Sequence, residues 1–135
     1  MEYKIDIQPM GAVRMTNRGK FVNKSAQRYL AYKDEIKRQI SQQLRSEVLA
    51  YPVEVETVFY MPIPRSWSEK KQAAAINQPH KSKPDIDNIL KGLFDSLNGL
   101  IWKDDNLVSK VTATKVYGER PGIKVTVKEI GELAV

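Results

Sequence analysis

Apolar and polar residues alternate along Tyr3-Lys4-Ile5-Asp6-Ile7, which predicts a strand stopped by Pro9 and Gly11. Residues 13–15 and 21–22 flank the stretch Thr16-Asn17-Arg18-Gly19-Lys20, which predicts a short hairpin with a basic tip. The period then lengthens. Tyr29, Tyr32, Ile36, Ile40 and Leu44 recur at three or four, the stripe of an amphipathic helix from about 26 to 48 capped by Ser25. Alternation returns over 52–61, with Val53, Val55 and Thr57 on one face and Pro62 and Pro64 as the stop. Ser68 caps a short polar helix to about Ile76, and 77–84 is a loop in which Pro84 biases Lys83 away from helical geometry. A second amphipathic helix spans roughly 86–97, with the stripe Ile86, Leu90, Leu93, Phe94 and Leu97, and ends at Asn98-Gly99. Residues 107–116 and 123–130 alternate again. Gly118-Glu119-Arg120-Pro121-Gly122 between them predicts that they pair as a hairpin.

Strands separated by helices, without an internal repeat, predict an α+β fold: one domain over 1–135, a mixed β-sheet with helices packed on one face. Composition changes this picture mainly by exclusion. Cysteine is absent, which removes disulfides, thiolate metal sites and a cysteine nucleophile. His80 is the single histidine, so a multi-histidine zinc site is excluded. The start Met1-Glu2-Tyr3-Lys4 lacks the apolar core of a signal peptide. No apolar run approaches the ~18–20 residues of a membrane span. A cytoplasmic protein with no membrane contact is the expectation.

The net charge of +6 averages unlike segments. Residues 14–45 hold nine basic residues, Arg14, Arg18, Lys20 and Lys33 among them, against Asp34 and Glu35, a net of +7. Residues 65–83 carry Arg65, Lys70, Lys71, Lys81 and Lys83 against Glu69, a net of +4. Residues 84–105 reverse the sign: Asp85, Asp87, Asp95, Asp104 and Asp105 face only Lys91 and Lys103, a net of −3. Basic flanks suit a polyanion, although a basic run is equally the pattern of a solvated helix face. The acidic island between them calls for a more specific account.

Asp85 and Asp87 bracket a helix start, and Asp87, Lys91 and Asp95 form one row up that helix. Asp104 and Asp105 return to the helix start if residues 100–103 run back along it, ~13 Å of extended chain against a helix of ~16 Å. Carboxylates that converge raise each other's pKa unless a cation joins them. With no cysteine and one histidine, oxygen-ligated magnesium is the metal chemistry this chain supports most readily, and phosphodiester hydrolysis is the reaction it suits. Lys91 is placed to stabilise the pentacoordinate phosphate or to position the attacking water. Structural roles compete with this reading. Asp85 alone suits an N-cap, and Asp87 suits the helix dipole. Asp87 and Lys91 suit a surface pair, and Asp104-Asp105-Asn106 suits an Asx turn.

The string His80-Lys81-Ser82-Lys83-Pro84-Asp85-Ile86-Asp87-Asn88-Ile89-Leu90-Lys91, followed by Phe94-Asp95-Ser96-Leu97-Asn98-Gly99 and Trp102-Lys103-Asp104-Asp105, resembles the signature of the RusA family of Holliday-junction resolvases. The resemblance is strong over 80–108. It is looser over Pro9-Met10 to Arg14, around Tyr32-Lys33 and in the closing strands. The family comprises small homodimeric, magnesium-dependent endonucleases, many of them phage-encoded, which nick opposed strands of a four-way junction symmetrically in recombination and repair. The resemblance implies that Asp85 and Asp87 are metal-binding catalytic carboxylates, that Asp105 is the third, and that Lys91 is catalytic. Magnesium is the implied cofactor, with manganese as a substitute ion. Branched DNA and a second copy of the chain are the implied partners.

Asp104 reads as a spectator, and Asp95 matches the pattern with a structural role equally open. Arg14, Arg18 and Lys20 are the first candidates for DNA contacts, and Lys81 and Lys83 the second. A lone histidine such as His80 is more often incidental in a polar loop. Trp67 and Trp102 could stack on opened bases, Trp102 being better suited to the core. The competing function is a non-catalytic, basic nucleic-acid-binding module with a structural acidic cluster. A regulator that meets an acidic protein partner is a third reading.

Overall fold

The computed structural model describes residues 1–16 and 23–130. In chain order they form β1 (Glu2–Ile5), α1 (Lys24–Ser41), β2 (Val53–Met61), α2 (Glu69–Ala75), α3 (Ile86–Leu97), a 3₁₀ turn (Asp105–Leu107), β3 (Val108–Tyr117) and β4 (Gly122–Glu129). The sheet order is β1-β4-β2-β3; β4 runs antiparallel to both neighbours, and β2 and β3 are parallel. This is the expected α+β arrangement with a mixed sheet.

One sheet face is apolar because β2 alternates faithfully. Val53, Val55, Thr57, Phe59 and Met61 are buried, and Ile123, Val125 and Val127 of β4 continue the same face. The stripe Ala26, Tyr29, Tyr32, Ile36 and Ile40 of α1 and the stripe Ile89, Leu93 and Leu97 of α3 cover it. The opposite face is polar, with Lys110 and Lys128 paired to Glu54 and Glu56 of β2. No helix among the described residues is long and apolar enough to cross a membrane.

Four expectations need correction. The residues of β3 and β4 do not pair with each other: β2 lies between them. The sequence pattern marks two strands and a turn but carries no record of a third strand inserted between them. The link 118–121 must then bridge two strand spacings, ~10 Å, across the end of β2. Gly118 makes that possible. Its N–H donates to the Met61 carbonyl at 2.9 Å, and a Cβ there would lie 2.6 Å from the Tyr60 Cβ and 2.9 Å from the Arg120 carbonyl oxygen. Gly118→Ala is therefore expected to cost about 1–3 kcal/mol in urea unfolding by overpacking. An unchanged midpoint would show that the crossing has slack.

The second correction concerns β1, which ends at Ile5 and not at Ile7. Gln43 and Gln39 of α1 take over the edge: each side-chain amide both donates to and accepts from a β1-side backbone group, Gln43 at Lys4 and Gln39 at Asp6, over 2.7–3.0 Å. Two helical glutamines thus imitate a strand and close that edge. Third, α1 is capped by Asn23, whose side chain accepts from Ser25 and Ala26, and it stops at Ser41. It stops short of 48 because Leu49 is drawn into backbone bonds with Ile101 and Lys103. Fourth, residues 13–15 form no strand, and the rest of the predicted hairpin, with Arg18 and Lys20 at its tip, lies outside the described residues. The helices over 69–75 and 86–97 fall where the sequence put them, the first capped by Ser68 and the second ended by Asn98 and Gly99, whose φ is 81°.

Candidate active site

The first two turns of α3 carry the centre of interest. Asp85 occupies the N-cap position, but its side chain makes no capping hydrogen bond. It accepts instead from the Lys83 ammonium at 2.9 Å, both side chains being well exposed. That hydrogen bond and charge hold the Asp85 carboxyl below the usual carboxylate range, with Lys115 adding to the effect. Asp87 sits in the first turn and Lys91 one turn later, both exposed, on one face of the helix. No ion pair joins Asp87 to Lys91 among the described residues. Neither the cap nor the surface pair that would explain these acids structurally is therefore formed.

The third acid lies elsewhere. Asp105 begins the 3₁₀ turn, and its Oδ2 accepts from the Asn98 side-chain amide, at the C-cap of α3, at 3.5 Å. The return over 100–103 does not run back along α3. Tight bonds, Ile101 N–H to the Leu97 carbonyl and Gly99 N–H to the Trp102 carbonyl, hold it at the helix end. Asp85 and Asp105 are thus separated by the 12 residues of α3, ~18 Å of helix. β3 gives the same answer, since its start follows Asp105 while Lys115, seven residues on, reaches the Asp85 loop. Among the described residues, no three carboxylate or imidazole groups converge to hold a metal ion. Asp104 is exposed and makes no cap bond.

Arg14 reaches the same neighbourhood as Lys91. Together with Lys33, Asp95 and Tyr29 they line a cleft of about 520 Å³ between the N-terminal segment, α1 and α3. The Tyr29 hydroxyl is buried within reach of the Asp95 side chain. Burial, with the Asp95 carboxylate beside it, pushes the phenol up to about 12. Asp95 thus faces this cleft on the helix side, away from Asp85. Lys81 and Lys83 are exposed, and Lys83 is committed to Asp85.

The remaining candidates are packing groups. Trp102 is fully buried; its indole N–H donates to the Asn98 Oδ1 at 2.7 Å and its ring meets Phe94 edge-on. Trp67 packs on Tyr117 under the Lys71 ammonium. His80 lies edge-on to Tyr117, and burial, helped by Lys115, lowers its pKa.

Comparison with known proteins then decides the lineage. The chain matches the family model for endodeoxyribonuclease RusA over residues 6–128. It belongs to the RusA endodeoxyribonuclease family. It is also 32% identical over 128 residues to the Bacillus subtilis (strain 168) protein described as uncharacterized protein YqaN, covering 91% of this chain and 87% of that one. The RusA match runs from α1 to β4 as far as Lys128, including α3 with its two acids and lysine; β1 precedes it.

Two contacts that the sequence did not advertise support this corner of the RusA fold. Asn88 ties α3 to the N-terminal segment: its side-chain amide donates to the Ala12 carbonyl, and its own carbonyl accepts from the Ala12 N–H, both at 3.2 Å. This pairing brings Arg14 beside Lys91. Lys115 donates to the carbonyls of Ser82 and Pro84 at 2.6 and 2.8 Å. The only sequence signal for Lys115 is a charge at an inward position of an alternating strand.

Proposed function

We propose that the protein is a magnesium-dependent endonuclease that resolves Holliday junctions by paired, symmetric phosphodiester hydrolysis. The observation that carries this is the state of Asp85 and Asp87. Both are exposed carboxylates at the start of α3, in a chain of the RusA family, and neither serves a helix cap or an intrahelical pair. Their oxygens suit a hard divalent ion, which takes one or two carboxylates together with waters and substrate phosphate. The chain has no cysteine, and its one histidine is packed on Tyr117, so no softer donor competes. Magnesium, or manganese in its place, held by Asp85 and Asp87 supplies charge neutralisation and a water of lowered pKa.

The remaining groups act on the phosphate. Lys91, one turn from Asp87, faces the developing negative charge. Arg14 and Lys33 in the adjoining cleft hold the flanking backbone, as do Lys81 and, once released from Asp85, Lys83. Arg18 and Lys20 join them in this reading. The ~18 Å between Asp85 and Asp105 adds a condition: a centre with three acids takes Asp105 from a second copy of the chain. A homodimer of this kind has two such centres related by symmetry, one for each cut.

The test is purified protein on a labelled mobile four-way junction, with magnesium, with manganese and with EDTA. Paired nicks at symmetric positions with either ion, and none in EDTA, are expected. Folded protein that binds the junction and nicks it with no divalent ion tried would instead favour the non-catalytic binding module.

A further inference from the structure

We infer that Lys115 is a positioning residue that sets the approach of Asp85 to the catalytic centre. The inference rests on the function proposed above. The loop 81–84 delivers the chain to Asp85, and among the described residues its backbone makes no hydrogen bond other than those from Lys115. The Lys115 ammonium reaches across from β3 and donates to the Ser82 carbonyl at 2.6 Å and the Pro84 carbonyl at 2.8 Å. The same residue's own carbonyl accepts from the His80 N–H at 3.0 Å. One residue of a rigid strand therefore fixes the loop at 80, 82 and 84, the last directly before Asp85.

Charge-assisted bonds to two carbonyls are short and directional, and the ammonium has three protons with which to make them. Lys115 is paired with Phe59 in the β2–β3 register, so its stem rises from the core side of β3. No carboxylate pairs with its ammonium among the described residues, so its charge is directed to the loop carbonyls. Placement of a metal-binding carboxylate matters because displacements near 1 Å can cost about 10²-fold in rate.

The experiment compares Lys115→Met and Lys115→Arg with the parent by two readouts. The first is the backbone N–H order parameter of residues 81–83 and 85 in metal-free protein. The second is single-turnover junction nicking together with junction affinity. Lys115→Met is expected to lower the order parameters over 81–83 and 85 while the sheet amides stay protected from exchange. It is expected to lower the nicking rate about 10–10²-fold, with junction Kd within about twofold, because the Lys115 ammonium is committed to the loop carbonyls and not to phosphate. Lys115→Arg is expected to recover most of both. Unchanged order parameters over 81–83 and 85 in Lys115→Met, or a nicking rate in Lys115→Met equal to that of a parent that nicks, would overturn the inference. If the parent does not nick at all while Lys115→Met frees the loop, the clamp stands and the proposed function fails. If Lys115→Met loses global protection, Lys115→Gln, which keeps a shorter donor, is read by the same two criteria.

Discussion

Asp87→Asn is expected to lower junction nicking by about 10³-fold or more while leaving junction binding intact or tighter. The substitution keeps size and removes one charge. Losing a carboxylate ligand forfeits several kcal/mol of transition-state stabilisation, and each 1.36 kcal/mol is tenfold in rate. Affinity moves the other way, because a negative charge no longer faces the phosphates. Folding is little affected. Asp87 is exposed, makes no ion pair with Lys91, and contributes to the helix dipole only about 0.3–1 kcal/mol. Single-turnover nicking and a gel-shift titration measure the two halves. A variant that cuts at the parent rate would remove Asp87 from the mechanism.

Trp102→Ala is expected to cost about 3–5 kcal/mol of stability. Trp102 is fully buried, stacks edge-on against Phe94 at 5.4 Å between ring centres, and satisfies Asn98 Oδ1. Its removal leaves a cavity and an unpaired amide oxygen together. The Asn98 amide also faces Asp105, so the substitution loosens the third acid as well as the core. A chain of this length has roughly 7–20 kcal/mol of stability in hand, so the variant is expected to fold with a lower urea midpoint. A loss under about 1 kcal/mol would show that the surrounding residues close over the site.

The parts of the fold legible in the sequence are those governed by local rules. The span of α3 follows from its apolar stripe, from Pro84 before it and from Asn98-Gly99 after it, and the structure reproduces the span, although Ile86 is exposed and Ile89 takes its place in the buried stripe. The placement of Asp85, Asp87 and Lys91 at the start of α3 is legible for the same reason, since their relation is set within one helix. What failed depended on partners distant in sequence. The hairpin signal between β3 and β4 is misleading because β2 occupies the space between them. The end of α1 was overrun because Leu44 continues the stripe and no Gly or Pro marks a stop; the chain turns away to pair Leu49 with Ile101 and Lys103. Asp105 could not be placed because its position depends on which way 100–103 leave the helix. Lys115 carries no sequence signal for this role because its partners are main-chain carbonyls of a loop 31–33 residues away.

In the function proposed above, two copies of this chain would assemble a nuclease centre, with Asp85 and Asp87 from one and Asp105 from the other. Mixing subunits tests it most directly. Asp87→Asn and Asp105→Asn proteins, each inactive alone, are unfolded together, refolded as a mixture and assayed on the four-way junction with magnesium. The account predicts recovery of nicking, because half of the heterodimer's centres combine intact Asp85 and Asp87 with an intact Asp105. A mixture with verified heterodimers that remains as inactive as either protein alone would contradict it.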